Sequence, residues 1–311
     1  EVVALQKAGI DATGSYCYVT LEPCNHIGKT GRCTDALIAA KVKAVIAAIR
    51  DPNSAVEGQG IERLRDAGIM VLVDVEKKYA EEFYKSYLFK SRNKRPLVKL
   101  KIGMSIDASS AMKSGESRWI TNEASRNDVQ FLRAASCLIL TGIGTVAKDD
   151  PLLNVRNPVI SMAGRQPVRV ILDSNLRINK DSKILNDEAK TIVFTCCQDR
   201  KLSEDIKKLG CQVDVLPALK NRVDLFHVFN RINEMNVNQV LVEAGSVLTS
   251  EILSTNYWDE LVIYLAPKFL GQGSRSAIKM DSPDHLDEVK KMALVDTSTF
   301  GHDVRLTYKK I

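Results

Sequence analysis

The 311-residue sequence is 45% apolar and 26% charged and carries a net charge of +6, the composition of a globular protein with about two domains of ~100–200 residues each. No run approaches the ~18 apolar residues of a membrane span, and the thinly spread positive charge lacks aromatic interleaving. Membrane insertion and nucleic-acid binding are therefore disfavoured, and small anionic ligands remain.

From Glu1 to about Arg92 helix and strand patterns alternate: VVALQKAG, then YCYVT, a helix opening near Cys33, AVIAAI, a DPN turn, IERLRDAG and IMVLV. This βα alternation predicts a parallel or mixed sheet covered by helices. Residues 76–95 read as one charged amphipathic helix running into a basic linker that ends at Pro96, where the domain boundary is placed. The second half restarts with the strand LVKLKIGMSI, followed by a helix from about Glu123 to Ala135 capped by Thr121 or Asn122. Strand patterns follow at CLILT, VRVIL, TIVFT and CQVDVL, a helix at VDLFHVFNRINEM, and strands at NQVLVEAG, ELVIYLAP and DVRLTYKK. Both halves are α/β. A turn-rich loop is expected around residues 271–276.

The seven cysteines (Cys17, Cys24, Cys33, Cys137, Cys196, Cys197, Cys211) are too few for a disulfide framework and odd in number, which fits a reducing, cytoplasmic setting. Two of them stand out, in the stretch from Glu22 to Cys33. Zinc takes about four tetrahedral ligands, and a catalytic site leaves one to water, so three protein ligands are needed. Cys24 and Cys33 offer two thiolates where a loop enters a helix N-terminus, whose free N–H groups favour the thiolate. The plain alternative is two ordinary buried cysteines. A zinc ribbon would need two more close ligands, which the sequence does not supply. Glu1, about two dozen residues before Cys24, stands where a zinc deaminase keeps its general acid/base.

In the second half, VLVEAG followed by SVLTSEIL reads as strand, glycine turn and helix N-terminus, an arrangement that presents N–H groups to a phosphate. Gly245 permits close backbone approach, and Ser246 is placed to cap the helix. The turn lacks the full G-x-G-x-x-G spacing, and plain structure is the competing reading. Thr141-Gly142-Ile143-Gly144-Thr145 forms a second such turn, and two in one sheet favour a dinucleotide crevice.

The segment TLEPCNHIGKTGRCTDALIAAKVKAVIAAIRDPN resembles the deaminase half of the bifunctional riboflavin-biosynthesis deaminase/reductase family. The blocks PLVKLKIGMSIDASSAMKSGESRWIT, DVQFLRAASCLILTGIGTVAKDDPLLNVR, VEAGSVLTSEIL and LVIYLAPKFLG resemble its reductase half. The resemblance covers nearly the whole chain. It implies a cytidine-deaminase-like α/β/α domain over 1–93, incomplete at its N-terminus, and a dihydrofolate-reductase-like α/β domain over 96–311. The family motif runs His-Ala-Glu, Pro-Cys, then Cys after eight residues, which distinguishes it from tRNA and cytidine deaminases. Aligned here, Glu1 is the catalytic acid/base, Cys24 and Cys33 ligate Zn2+, and the histidine ligand falls before Glu1, outside the sequence. The opening EVVALQKAGI has neither Met nor a signal peptide, so the sequence reads as a fragment, expected to lack the deaminase activity of its parent. His26 is implied to line the pyrimidine pocket, with a solvated loop histidine as the alternative. His227, His285 and His302 are read as structural or surface residues.

For the second half the resemblance implies NADPH contacts at Gly103, Trp119, Thr145, Asp149, Ser174 and the run Gly245, Ser246, Val247, Leu248, Thr249, Ser250 and Glu251. Substrate contacts are implied at Ser117, Arg133, Leu153, Arg156 and Glu243. Arg133 and Arg156 suit a sugar phosphate, and Glu243 can accept from hydroxyl or amine groups; surface ion pairing is the alternative. The implied chemistry is deamination of a diaminopyrimidinone ribosylamino phosphate, then hydride transfer from NADPH that opens its ribose to a ribitylamino chain. A homodimer is expected by family analogy, without nucleic-acid or membrane partners.

One departure stands out. The family's Ser-x-Asp-Gly-Lys/Arg is here Ser105-Ile106-Asp107-Ala108-Ser109, so a glycine and a cation are missing. Retained NADPH binding with reduced turnover is expected, unless Lys113 compensates. Two other readings compete: a reductase whose deaminase half is degenerate, and a non-catalytic nucleotide-binding regulator, which Ser109 favours.

Overall fold

The computed structural model describes residues 1–27, 31–53, 58–186 and 188–311. Gly28, Lys29 and Thr30 of the spacer between Cys24 and Cys33 lie outside the described residues. The chain divides into two compact units, Glu1–Arg95 and Pro96–Ile311.

The first unit runs α1 (Val2–Ala8), β1 (Tyr16–Leu21), α2 (Cys33–Ala39), β2 (Ala44–Ile49), α3 (Gln59–Asp66), β3 (Met70–Leu72), α4 (Lys77–Phe83) and α5 (Lys85–Asn93). Its three strands are parallel in the order β1-β2-β3. The apolar run of β2 is the signature of a strand covered on both faces, and it forms the middle strand. Cys17, Val45 and Val71 share a register and face a core with Leu37 of α2 and Ile61 and Leu64 of α3. Residues 76–95 form two helices rather than the single helix read from their pattern. The break falls at Tyr84, whose hydroxyl hydrogen-bonds Thr20 Oγ1 of β1 at 2.8 Å while its ring meets Phe83 and Tyr87 edge-on. That anchoring to the sheet interrupts the helical path.

The second unit opens with β4 (Leu97–Ser105) and β5 (Ser109–Ala111), then α6 (Glu123–Ala134), β6 (Leu138–Gly142), α7 (Ile143–Asp149), β7 (Val168–Leu172), β8 (Thr191–Thr195), α8 (Arg200–Lys207) and β9 (Gln212–Val215). A small hairpin of β10 (Ala218–Leu219) and β11 (Arg222–Val223) leads to α9 (Leu225–Glu234), β12 (Gln239–Val242), α10 (Ser246–Leu253), β13 (Glu260–Ala266), β14 (Arg275–Ser276), β15 (Met292–Phe300) and β16 (Asp303–Lys310). Nine strands form one sheet in the order β15-β16-β13-β4-β12-β6-β7-β8-β9. The strands from β13 to β9 are parallel, and β16 and β15 close one side antiparallel. Asn122 caps α6 by accepting from Ser125 N at 3.0 Å. The turn-rich segment near 271–276 contains β14, which pairs with β5.

Within this sheet β12 lies between β4 and β6, so the turns after β6 and β12, which carry Gly142 and Gly245, are neighbours at the carboxyl edge. Ligands of parallel α/β sheets bind in the crevice outside that edge.

Candidate active site

A cavity of about 980 Å³ opens at the carboxyl ends of β4, β6, β7 and β12. At one end lies Glu243, just after β12. Arg133 of α6 grips its carboxylate bidentately, Nε donating to Oε1 at 2.6 Å and Nη2 to Oε2 at 3.1 Å. Lys101 of β4 adds Nζ at 3.1 Å from Oε2. Burial alone would raise the Glu243 pKa, but the charges of Arg133 and Lys101 overcome it and hold the carboxyl at about 2. Glu243 is thus a fixed anion between two cations. Arg133 Nη1 also donates to Asn154 O at 3.1 Å, and Arg156 Nη1 donates to Asn154 Oδ1 at 3.3 Å. Burial and the Arg133 charge push the Arg156 guanidinium down.

Leu153, buried in the cavity wall between these groups, has φ of 47°, a left-handed conformation that costs a non-glycine residue roughly 1–2 kcal/mol. Such strain persists where surrounding bonds over-determine it.

The other end is built from the two glycine turns. Gly245 N donates to Thr145 Oγ1 at 3.0 Å. A Cβ on Gly142 would sit 3.4 Å from Leu248 Cδ2, and one on Gly245 would sit 3.7 Å from Thr145 Oγ1. Both are ordinary van der Waals distances, so the two turns pack side by side without crowding. The N-cap of α10 is Gly245, with no side-chain cap. Ser246, read as the cap, is instead the first helical residue, so the first turn of α10 keeps N–H groups available to a phosphate. Ser174, after β7, accepts from Val223 N through Oγ at 3.1 Å. Trp119 is 59% exposed, with Arg126 stacked 4.3 Å over its ring, and so is no core residue. Ser117 Oγ donates to Asp149 Oδ1 at 3.4 Å.

Gly103, Ser117, Trp119, Arg133, Thr145, Asp149, Leu153, Arg156, Ser174, Glu243, Gly245, Ser246, Val247, Leu248, Thr249 and Glu251 all line this one cavity. Ser250 does not. It is buried, and its Oγ accepts from Lys279 N at 2.7 Å, because α10 turns that position toward the interior.

Lys101 escaped the sequence reading, although a lysine in the middle of an apolar strand signals a buried partner. Arg126, Tyr264 and Arg177 also line the cavity and carried no local signal.

The departure at 108–109 also has a defined geometry. Ala108 adopts φ of 57°, the region where the family's glycine costs nothing. Ser109 is buried, its Oγ 2.6 Å from Ser274 Oγ, and neither it nor Lys113 lines the cavity. The Lys113 side chain instead passes near Gly273.

In the first unit, the side chains of Cys24 and Glu1 lie close enough to Cys33 to act on its thiol. Burial, then those two neighbours, push the Cys33 thiol up to about 12. Among the described residues no group of three or more His, Cys, Asp or Glu could hold a metal ion. Two thiols fall short of the three protein ligands of a catalytic zinc. His26 is exposed. Glu22, just before Pro23-Cys24, is buried and accepts from Gly58 N, Gly60 N and Ile61 N at 3.1, 3.1 and 3.2 Å, which ties the Pro-Cys segment to the start of α3.

The second unit therefore carries a two-ended crevice at the carboxyl edge of a parallel sheet, with a buried ion-paired carboxylate at one end and an uncapped helix start at the other. The RibD C-terminal domain matches residues 96–306. The riboflavin biosynthesis protein RibD of Escherichia coli (strain K12) is 37% identical over 98% of this chain and 85% of that protein. A structure of Acinetobacter baumannii RibD superposes with a TM-score of 0.86 at 36% identity, covering 99% of this chain and 84% of that one. A Thermotoga maritima structure, described as a diaminohydroxyphosphoribosylaminopyrimidine deaminase/5-amino-6-(5-phosphoribosylamino)uracil reductase, superposes at 0.84 with 29% identity, covering 100% of this chain and 83% of that one. The chain belongs to the RibD family of riboflavin biosynthesis proteins.

Proposed function

We propose that the crevice of the 96–311 unit is the reductase site of this riboflavin-biosynthesis enzyme, with NADPH at the Gly245 end and the ribosylamino phosphate of the pyrimidine at the Glu243 end. The observation that carries this is the convergence of Glu243, Arg133, Lys101 and Arg156 on one end of a cavity whose other end is an uncapped helix start. Bound NADPH supplies the hydride. The close glycine turns and the first N–H groups of α10 fit its pyrophosphate. Arg156 suits the sugar phosphate as a charged, partly desolvated donor, and Arg133 sets the carboxylate of Glu243. Lys101, held at 3.1 Å from Glu243, keeps its remaining two donor hydrogens near the reacting sugar. The protein thereby acts mainly by orientation and fixed charge. Loss of NADPH absorbance with the deaminated substrate tests this, and Glu243→Gln is expected to reduce kcat/KM by about 10²–10³-fold.

For the 1–95 unit we propose the deaminase half, cytidine-deaminase-like in fold, with Cys24 and Cys33 as the thiolate ligands of Zn2+ and Glu1 as the general acid/base. The proximity by which Cys24 and Glu1 act on the Cys33 thiol supports this grouping. A homodimer and a cytoplasmic location complete the reading; among the described residues no helix is long and apolar enough to cross a membrane. The regulator alternative rested on Ser109, and the burial of that side chain outside the cavity removes its support.

A further inference from the structure

We infer that Arg169, together with Gln166, is a positioning residue for the sugar-phosphate end of the crevice and acts through the segment 152–156. This rests on the substrate reading of Leu153 and Arg156 proposed above. Arg169 lies in β7 with no exposed surface. Its Nη1 donates to Leu152 O at 3.2 Å and to Asn186 Oδ1 at 2.7 Å, and its Nη2 donates to Asn186 O at 2.7 Å and Ala189 O at 2.5 Å. Among the described residues every acceptor it uses is an amide oxygen. A guanidinium buried on carbonyls is an unusual placement of charge, and one of those carbonyls precedes Leu153.

The segment has no regular structure of its own, yet its backbone is held from both sides. Gln166 closes a reciprocal pair on Val155, accepting from its N–H at 2.8 Å and donating to its carbonyl at 2.9 Å. From α6, Gln130 accepts from Arg156 N at 3.0 Å and Arg133 donates to Asn154 O at 3.1 Å. Leu153 sits between these ties in its left-handed conformation, and such a residue relaxes when its constraints are removed. Relaxation there moves Leu153 in the cavity wall and swings Arg156 off the phosphate. The turns after β6 and β12, which carry Thr145 and residues 245–251 of the NADPH end, share none of these hydrogen bonds. A lysine at 169 keeps the charge but cannot span the same carbonyls, because only the planar fork presents donors in several fixed directions.

The test is steady-state kinetics with 5-amino-6-(5-phosphoribosylamino)uracil, and NADPH titration by fluorescence, on Arg169→Lys, Gln166→Met and Arg156→Ala. Arg169→Lys and Gln166→Met are expected to raise the substrate KM by about 10- to 100-fold, the scale of a misplacement of about 1 Å, while the NADPH Kd stays unchanged. Gln166 is half-buried and uncharged, so Gln166→Met decides the question if Arg169→Lys does not fold. An unchanged substrate KM in folded Gln166→Met overturns the inference. So does a parallel weakening of NADPH, which marks a merely structural role. Arg156→Ala separates the two layers: if it leaves the substrate KM unchanged, the substrate reading itself is wrong, whereas a raised KM there with a normal Gln166→Met rejects only the positioning role.

Discussion

Arg133 and Glu243 meet fork to fork, at 2.6 and 3.1 Å, with both side chains buried and Lys101 completing the cluster at 3.1 Å. Because the pair joins α6 to the end of β12, it sets the spacing between the helix and the strand that frame the substrate end of the crevice. A buried carboxylate that keeps its charge in this way couples the fold to pH.

The folded-state pKa of Glu243, about 2, lies below its ordinary value of 4.5. Its stabilisation is therefore complete above about 4.5 and is lost as pH falls toward 2, by about 3 kcal/mol in all. Both tryptophans, Trp119 and Trp258, lie in the 96–311 unit, so tryptophan fluorescence reports its unfolding. Urea midpoints followed from neutral pH downward are expected to drop most steeply in that window, and Glu243→Gln to lose most of the slope.

Ala108 holds a φ of 57° that glycine adopts freely. Ala108→Gly is expected to stabilise the 96–311 unit by about 1 kcal/mol, the left-handed penalty offset in part by the freer unfolded chain. Thermal melting checks the sign: a lower Tm contradicts the strain at this position.

At Gly60 the opposite holds. A Cβ there would stand 2.0 Å from the Pro23 carbonyl oxygen, and backbone cannot yield as a flexible side chain does. Gly60→Ala is expected to cost the first unit roughly 1–3 kcal/mol and to shift Pro23 and Cys24. Faster proteolysis within residues 1–95 would accompany that shift, with NADPH binding unaltered.

Ser250 and Gly245 should separate stability from binding. Ser250→Ala removes the acceptor of Lys279 N and is expected to cost about 1 kcal/mol of stability with an unchanged NADPH Kd. Gly245→Ala instead adds a methyl group in the turn facing Thr145 and is expected to weaken NADPH binding several-fold, at little cost in Tm. Fluorescence titration of both variants beside melting curves distinguishes them.

The strands were legible because each is a short apolar run whose signal is local: CLILT, VRVIL, TIVFT and ELVIYLAP appear as β6, β7, β8 and β13. The Asn122 cap and the two glycine turns announce themselves in the same way. The edge strand β15 did not, because most of its residues are exposed and it carries no buried face to impose a period. Nor did the break at Tyr84, which depends on a hydroxyl 64 residues away. Lys101 looked like one charge among many until β4 placed it against Glu243.

By itself the sequence determined the family resemblance, the α/β alternation and the residue types able to bind phosphate, carboxylate partners and metal, since these arise from local pattern and motif. Only the tertiary structure decided which of them meet. Residues 245–251 are consecutive in the chain, yet a helix of 3.6 residues per turn cannot present them all to one side, so Ser250 turns inward. Likewise the left-handed conformations of Ala108 and Leu153 were not announced by the residue types. Sequence order carries no record of long-range bonds, and it is they that give the crevice its geometry.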